Sequence, residues 1–417
     1  MQTKLEFDLI INGGGLAGAS LALDLASSGF RVALVDIRSV QPAQQRDVDT
    51  RSIALTYSSG VIFRRLGLWD QLPSGSVTAI RTTEVTDCGM RGQVQLKASD
   101  VGCDVMGWNV EAQTLLTHLF RLIGGFESIS TFSPAELSDL RIDHDQVRCD
   151  VRSISDESTQ TVKAKVLVIA DGGQSGISDQ LRFCTRGKQY GRNALVCRVE
   201  TDRPNRYKAY EHFIRTGPLA LLPSGNRGYT VIWTLEPKES ERLIGVPVSQ
   251  FLDEIQEVFR GRAGNFTELT GERRAYPLSY SMLKRFVRPR VAVVGNAMHT
   301  FHPVAGQGFN LALRDTAELV RILAQYRDRG WDIGCYDALE EYQIRRESES
   351  QVVGSFTDGL IRIFANDSPN QLRLRNVGLD VVQAVAPLRQ MLLRRTMGVH
   401  RLSVSNMGQE VDYGESA

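Results

Sequence analysis

The feature that most constrains the fold is a glycine-rich turn between a short apolar run and an Ala/Leu-rich helical stretch near the start of the chain. The apolar run covers residues 7–11, and the turn that follows is Gly13-Gly14-Gly15-Leu16-Ala17-Gly18. The helical stretch ends before Gly29, and a second apolar run over residues 31–35 ends at Asp36. This order predicts a strand, a helix and a parallel strand that together bind a dinucleotide.

Each glycine of the turn has a predicted task. Gly13 makes the tight turn, Gly15 lets the backbone approach a pyrophosphate at the helix N-terminus, and Gly18 allows helix and strand to pack closely. Asp36 is predicted to accept hydrogen bonds from a ribose hydroxyl. The pattern by itself leaves NAD and FAD open, and a tight turn that binds no ligand is the alternative.

Composition excludes several other classes of protein. The 417 residues exceed one average domain, and 49 Lys and Arg against 48 Asp and Glu give a formal net charge of +1, which predicts no nucleic-acid binding. No apolar run approaches the roughly 18 residues of a membrane span, and the N-terminus lacks a signal or transit pattern, so a cytoplasmic protein is expected. Six cysteines are scattered singly, which predicts free thiols and no metal site.

Two further runs resemble buried strands that end in polar motifs. Residues 165–170 lead into Asp171-Gly172-Gly173, although Asp-Gly after a strand is also a common turn. Residues 290–294 lead into a long Gly- and Pro-containing segment over 295–310, and Asp315 follows within the next helix. Ligands of open α/β sheets bind at the carboxyl ends of strands, so these motifs are predicted to join the glycine turn in one site.

The three motifs together resemble the single-component, class A FAD-dependent aromatic hydroxylases, and most closely the ubiquinone-biosynthesis hydroxylases that act on 2-polyprenyl-6-methoxyphenol. The closer match rests on the segments 51–55 (Arg-Ser-Ile-Ala-Leu), 217–223 (Gly-Pro-Leu-Ala-Leu-Leu-Pro), 275–278 (Ala-Tyr-Pro-Leu), 302–311 (His-Pro-Val-Ala-Gly-Gln-Gly-Phe-Asn-Leu) and 355–360 (Ser-Phe-Thr-Asp-Gly-Leu). Two positions depart from the general family: Asn296 stands where aspartate is usual, and Ser178 where arginine is frequent. Asparagine can still hydrogen-bond a ribitol hydroxyl without carrying charge.

The resemblance implies which residues bind FAD. The ADP half would be bound by Gly13, Gly15, Leu16, Ala17, Gly18 and Asp36. Arg51 and Gln113 match positions on the flavin side, and Asp171 matches the residue that serves FAD and NAD(P)H. Asn296 would contact the ribitol, and the isoalloxazine ring would be lined by Gly306, Gln307, Gly308 and Asn310.

The implied fold is α/β: a Rossmann-like FAD-binding domain of the glutathione-reductase type, an inserted antiparallel sheet that covers the substrate, and C-terminal helices. Because the cofactor motifs span residues 13 to 315, the FAD domain must be discontinuous. We assign residues 1–70, 101–180 and 275–345 to the FAD domain, 71–100 and 181–274 to the substrate sheet, and 346–417 to the helical region. Within the sheet, strands are predicted over 194–199, 212–214 and 229–234.

The implied reaction is ring hydroxylation of a polyprenylated phenol in ubiquinone biosynthesis, with NAD(P)H, O2 and a flavin hydroperoxide. His302, beside Pro303, is the first candidate to assist phenol deprotonation, because histidine titrates near neutral pH; a structural hydrogen bond is its alternative. His299 is expected to support the turn, and Tyr210 and His212 are weaker candidates. A sister ring hydroxylase of the quinone pathway, a soluble phenol hydroxylase and a non-catalytic prenyl carrier stay open as alternatives.

The C-terminal tail offers a last observation. Val381, Val385, Leu388 and Leu392 fall at helical spacing, the segment carries several arginines, and Pro387 interrupts it. Such a helix can lie on an anionic membrane surface, which would suit a prenylated substrate, or it can pack on the protein. The tail thus leaves packing on the protein and peripheral membrane contact open, and a place in a multiprotein ubiquinone-biosynthesis complex is left open by the family resemblance alone.

Overall fold

The computed structural model of the chain describes residues 5–39, 51–87, 92–173, 176–214, 217–301, 306–364 and 369–399. The strands in these ranges are β1 Leu5–Glu6, β2 Leu9–Asn12, β3 Val32–Val35, β4 Ser52–Thr56, β5 Val77–Ile80, β6 Thr82–Asp87, β7 Gln93–Lys97, β8 Gly107–Glu111, β9 Ile129–Phe132, β10 Ala135–Ile142, β11 Val147–Ser153, β12 Thr159–Ala164, β13 Val166–Ile169, β14 Thr185–Thr201, β15 Lys208–Ile214, β16 Gly217–Ser224, β17 Gly228–Leu235, β18 Phe266–Leu283, β19 Val287–Arg288, β20 Val291–Val293 and β21 His299–Thr300. The helices are α1 Leu16–Ser27, α2 Tyr57–Arg65, α3 Ala112–Ile123, α4 Ile177–Gln180, α5 Pro237–Gly245, α6 Val248–Phe259, α7 Gln307–Asp328, α8 Tyr336–Phe364, α9 Pro369–Ala384 and α10 Ala386–Thr396.

A six-stranded sheet forms the nucleotide-binding layer, in the order β19-β20-β13-β2-β3-β9. Every pair in it is parallel except β19 with β20. Strands β2, β3, β13 and β20 are buried along their whole length, as expected where both faces of a parallel sheet are covered. The predicted strand-helix-strand start and the two later strands are confirmed in position to within about two residues, the usual uncertainty of element ends.

Because these strands are parallel, the residues that follow them meet at one edge of the sheet. The residues at or just beyond the four carboxyl ends are Asn12, Asp36, Asp171 and Gly295. A four-stranded sheet, β1-β12-β11-β10, contacts this layer through β10 and β12, and a three-stranded sheet, β4-β8-β5, contacts β16.

A mainly antiparallel layer of eight strands lies beyond that edge, in the order β21-β18-β14-β17-β16-β15-β6-β7, and among the described strands its one parallel pair is β15 with β6. One of its faces packs against α5 and α6 through a core that includes Tyr210, Tyr229 and Phe251. The strands predicted over 194–199, 212–214 and 229–234 lie within β14, β15 and β17.

Two features of this layer differ from the sequence-based expectation. Strand β18 continues through the predicted domain boundary at 274/275 and pairs with β14 as far as Leu283, so the chain returns to the nucleotide sheet only at β19. Helices α5 and α6 were also not predicted. Their signal is present in α6, where Phe251, Ile255 and Phe259 repeat every four residues and are buried.

The C-terminal region is helical, and α8 begins ten residues before the predicted boundary at 346. The predicted interruption at Pro387 is found: α9 ends at Ala384, and Pro387 lies in the first turn of α10, where its missing N–H costs nothing. Leu393 and Met397 pack with Val94 and Leu96 of β7 in a small core of their own. Among the described helices, none is both long and apolar enough to cross a membrane.

Candidate functional site

A cavity of about 1780 Å³ separates the carboxyl edge of the nucleotide sheet from the antiparallel layer and extends to α9 and α10. Its volume exceeds the roughly 300–1,000 Å³ of an ordinary small-molecule site, so it can hold a dinucleotide and a second ligand together. Most of the predicted cofactor residues line it, namely Gly13, Gly15, Leu16, Ala17, Asp36, Arg51, Gln113, Asp171, Asn296, Gly306 and Gly308.

The glycine turn has the geometry that its sequence predicts. Gly13 has φ +116°, and a Cβ there would lie 2.5 Å from the carbonyl carbon and oxygen of Ala170. A Cβ at Gly18 would lie 1.8 Å from the Gly13 oxygen, which leaves no room for a side chain between helix and strand. Gly15 differs, because a Cβ there would meet only the Arg38 Nη2 atom, 3.9 Å away. The space over Gly15 therefore belongs to the cavity rather than to the protein core.

The two predicted acids of this edge are held by neighbouring backbone. The Asp36 carboxylate accepts from the Gly14 N–H at 2.6 Å and from the Arg38 N–H at 2.7 Å. The Asp171 carboxylate accepts from the Gly173 N–H at 2.7 Å and from the Asn12 side-chain amide at 3.2 Å. Both carboxylates are thus fixed in orientation at the cavity wall, as a binding role requires.

On the opposite wall, α7 is joined to β4 through one side chain. Asn310 accepts from the Thr56 N–H at 2.8 Å and from the Ser59 hydroxyl at 2.7 Å, and it donates to the Ala54 carbonyl at 2.7 Å. Gly306 begins this helix with φ +59°, and its Cβ would lie 3.1 Å from that of Ala54. The arrangement brings the backbone of α7 and β4 together beside the cavity.

Three predicted cofactor residues are not part of the cavity wall: Gly18, Gln307 and Asn310. The Gln307 side chain donates to the Thr396 carbonyl at 3.3 Å, and Asn310 makes the contacts just described. These side chains position the elements around the cavity, and contact of any of the three with a cofactor stays a prediction. His302 and Pro303 lie outside the described residues.

Behind the α7 wall lies a buried ionic network. The His299 Nε2 atom is 2.7 Å from the Asp315 carboxylate, whose other oxygen accepts from Arg346 at 2.6 Å. Arg346 also donates to Glu349 at 2.6 Å, and Glu349 accepts from Arg314 at 2.8 Å. Burial would raise the pKa of Asp315 and of Glu349, but the guanidinium charges outweigh it: both pKa values are lowered, that of Glu349 to about 2.

This network gives His299 a structural role, in line with the expectation that His299 supports the turn. It joins the segment after β20 to both α7 and α8, and the His299 ring also stacks on Phe301 at 4.9 Å. The position of the cavity wall around Asn296 and Thr300 therefore depends on charges that never reach the cavity.

The weaker candidates Tyr210 and His212 have structural partners. The Tyr210 hydroxyl donates to the Arg262 carbonyl at 3.0 Å, and the His212 Nδ1 atom is 2.6 Å from the Thr86 hydroxyl. Glu211 lies between them on β15 and points the other way, into the cavity. Sequence reasoning missed it, although strand alternation alone places Glu211 on the face opposite its two neighbours.

Comparison with known proteins gives one family match. The model of the FAD binding domain family matches residues 6–354, which is most of the chain.

Among curated proteins, the ubiquinone hydroxylase UbiL of Rhodospirillum rubrum is 32% identical over 395 residues, covering 95% of this chain and 90% of that protein. The 3-demethoxyubiquinol 3-hydroxylase of Escherichia coli is 27% identical and covers 95% of this chain and 100% of its own. Among solved structures, p-nitrophenol 4-monooxygenase PnpA from Pseudomonas putida DLL-E4 superposes with a TM-score of 0.75 at 15% identity, covering 95% of this chain and 99% of that one. That likeness concerns the fold.

Proposed function

The chain belongs to the FAD-binding-domain family, and from this premise we propose that it is an FAD-dependent monooxygenase that hydroxylates the aromatic ring of a polyprenylated phenol in ubiquinone biosynthesis, using NAD(P)H and O2. The observation that carries the proposal is the continuity of the cavity described above. The cavity is continuous from the glycine turn, through the walls of α7 and β4, to an apolar sheet face and the C-terminal helices.

The residues present fit FAD. The turn offers a helix N-terminus at Gly15 whose missing side chain leaves room for a pyrophosphate, and two fixed carboxylates stand at the same edge. Asn296 is exposed to the cavity, and Gly308 has nothing within 4 Å of a would-be Cβ. When bound, FAD supplies the redox chemistry that activates dioxygen.

The chain's own residues would bind FAD, orient the phenol ring and enclose both. The α1 N-terminus and Asp36 would hold the ADP half, and the Gly306–Gly308 backbone would hold the ring end opposite β4. Ala220, Leu222 and Ile232 form an apolar roof that excludes water from the reacting atoms and positions the phenol ring.

An apolar tail has a place in the same cavity. Beyond the roof, the wall consists of Val94 and Leu96 from β7 and of Leu379, Val382 and Leu392 from the C-terminal helices. A polyprenyl chain is a long hydrocarbon, and burying it against such side chains contributes roughly 0.8 kcal/mol per CH2 group. This wall favours a prenylated phenol over a small water-soluble one.

The proposed activity is tested with purified holoenzyme. We expect a flavin absorption spectrum, NADPH oxidation that rises on addition of a short-chain 2-prenyl-6-methoxyphenol, and a product that contains one oxygen atom from labelled O2. KM should fall as isoprene units are added. Bound FAD with no stimulation by any prenylated phenol would contradict the proposal.

A second candidate is the sister reaction at another ring position, because a curated relative is a 3-demethoxyubiquinol hydroxylase. Side-by-side assays with a prenylated methoxyphenol and a demethoxyquinol separate the two. A non-catalytic prenyl carrier is less well supported, since it has no use for the cavity wall at Gly306 and Gly308.

We further propose that α9 and α10 contact an anionic membrane surface, from which the prenylated substrate enters. Val377, Val381, Val385 and Met391 are 58%, 45%, 44% and 59% exposed, and the first two also line the cavity. Arg394 and Arg395 on α10 supply positive charge beside this stripe. Val382, Leu392 and Leu393 lie against the protein. One face of these helices thus packs on the protein, and the exposed face is left for the membrane. A multiprotein ubiquinone-biosynthesis complex stays a prediction.

The double variant Val385→Asp/Met391→Asp is expected to bind anionic vesicles several-fold more weakly, because two charges would enter the apolar part of the interface. The measurement is flotation with vesicles that contain phosphatidylserine. Val248→Asp is the matched control, since Val248 is also 44% exposed but lies on α6. Equal flotation of the double variant and the wild type would reject membrane contact through this stripe.

A further inference from the structure

Glu211 is the acid on the apolar roof of the cavity. Strand pairing places Glu211 between Val85 of β6 and Ala220 of β16, and Ala220 in turn pairs with Ile232 of β17. All four residues line the cavity. Along β15, Ala209 and Phe213 occupy the same face on either side of Glu211 and also line the cavity. The carboxyl group is therefore surrounded by aliphatic and aromatic side chains.

The roof position of Glu211 is close to the cofactor end of the cavity. Two residues further along the paired strands, and about 7 Å away, Ala209 of β15 and Leu222 of β16 also line the cavity. Leu222 pairs with Thr230, whose hydroxyl is 3.0 Å from that of Ser52 at the start of β4. Strand β4 is the element that α7 contacts through Asn310, so Glu211 faces the region between α7 and the roof.

No hydrogen bond or ion pair engages the Glu211 carboxyl among the described residues. The other acids of the cavity wall all have partners: Asp36 and Asp171 bond to backbone amides, and Glu136 pairs with Arg152. A polar group in apolar surroundings without a partner costs free energy, which a ligand hydroxyl would relieve. The unpartnered carboxyl thus points to a ligand that carries a hydroxyl group.

Given the proposed function, we propose that Glu211 binds the phenol hydroxyl of the substrate and accepts its proton during ring hydroxylation. The phenol O–H bond breaks, the proton forms a bond to a carboxylate oxygen of Glu211, and the electron pair stays on the phenolate oxygen. The negative charge of the phenolate raises the electron density of the ring. The ring carbon therefore reacts more readily with an electrophilic oxygen atom. The inference rests on the proposed function for the identity of the substrate.

The pH dependence follows from the surroundings of Glu211. Desolvation by burial raises the pKa of Glu211 to about 7. Strands β6 and β16 present Val85 and Ala220 toward it, and the described charged group that α9 places on the cavity wall, Arg375, is paired with Asp87 at 3.0 Å. Tyr210 and His212 point to the opposite face. Since the carboxylate form is the acceptor, kcat/KM is expected to rise with pH through about 7.

The test compares wild-type holoenzyme with Glu211→Gln and Glu211→Leu. For Glu211→Gln, we expect retained FAD, a loss of at least about a hundredfold in kcat/KM above neutral pH, and no rise through pH 7. Glu268→Gln is the matched control, because Glu268 lies on β18 of the same sheet but is exposed to solvent. The control should keep the wild-type profile.

A binding measurement without turnover accompanies the kinetics. Wild-type holoenzyme should bind a short-chain 2-prenyl-6-methoxyphenol about tenfold more tightly than its O-methyl ether, which lacks the proton to donate. Glu211→Leu should bind phenol and ether equally, and its unchanged affinity for the ether would show that the roof is intact.

Failure of the Glu211 role and failure of the proposed function give different results. An unchanged pH profile in Glu211→Gln, or a phenol preference that persists in Glu211→Leu, would overturn the role of Glu211 while leaving a hydroxylating wild-type enzyme in place. If wild-type enzyme binds and oxidises no prenylated phenol, the proposed function fails and the inference fails with it.

Discussion

A Gly15→Val variant is expected to fold as the wild type does and to lose FAD. Gly15 has φ −66° and ψ 179°, a backbone conformation open to any residue, and its Cβ would have no protein atom nearer than 3.9 Å. A valine side chain would instead occupy the space in front of the α1 N–H groups, where the pyrophosphate must approach. We expect FAD binding to weaken by about a hundredfold or more, equivalent to roughly 2.7 kcal/mol.

Two glycine variants serve as controls for this result. Gly18→Ala should reduce stability itself, by about 1–3 kcal/mol or more, because its Cβ would lie 1.8 Å from the Gly13 oxygen. Gly245→Ala should change neither property, since Gly245 is exposed with nothing within 4 Å of the added atom.

The measurements are urea unfolding of the apoproteins and titration with FAD followed by flavin fluorescence. Unfolding of Gly15→Val at much lower urea than the wild type would mean that the turn is a packing feature only. Full retention of FAD would remove Gly15 from the binding site.

The nucleotide layer could be predicted from sequence because its signals are local. A buried strand, a glycine turn and an acid at a fixed distance describe one continuous stretch of chain, and Gly13, Gly15 and Asp36 are where that stretch implies. The same holds for Asp171 and Asn296, which lie two and three residues beyond the ends of β13 and β20.

What could not be predicted depends on pairing between distant segments. The apolar surroundings of Glu211 include Val85 and Ala220, which are distant in sequence and are placed beside it by strand register. The extension of β18 past the predicted boundary is fixed by its partner β14 rather than by its own residues. The side chain of Asn310 belongs to a cofactor motif in the sequence, and only the fold shows that its amide bonds Thr56 and Ala54 of β4, Ser59 of α2 and the Gly306 carbonyl.

The largest effect on stability is expected from the network behind the α7 wall, through Glu349→Gln. Neutralising this carboxylate would leave Arg314 charged in the protein interior without its carboxylate partner, and Arg346 would keep Asp315 alone. Removing one member of a buried ion pair costs about 3–5 kcal/mol, because the remaining charge is left uncompensated. Glu341→Gln is the matched control on the same helix: its Arg345 partner is near the surface, and a change within about 0.5 kcal/mol is expected.

The difference in unfolding free energy between wild type and Glu349→Gln should depend on pH. The pKa of Glu349 is lowered from 4.5 to about 2 in the folded protein, so its ion pairs stabilise the fold above about pH 4.5 and lose that contribution as the pH falls toward 2. Urea unfolding should therefore show a large gap between wild type and Glu349→Gln at neutral pH and a narrowing gap below about pH 4. A gap that is constant with pH would show that the glutamine disturbs packing rather than charge. The network ends at His299, beside the cavity wall. At neutral pH, Glu349→Gln should therefore also release FAD more readily than the Glu341→Gln control.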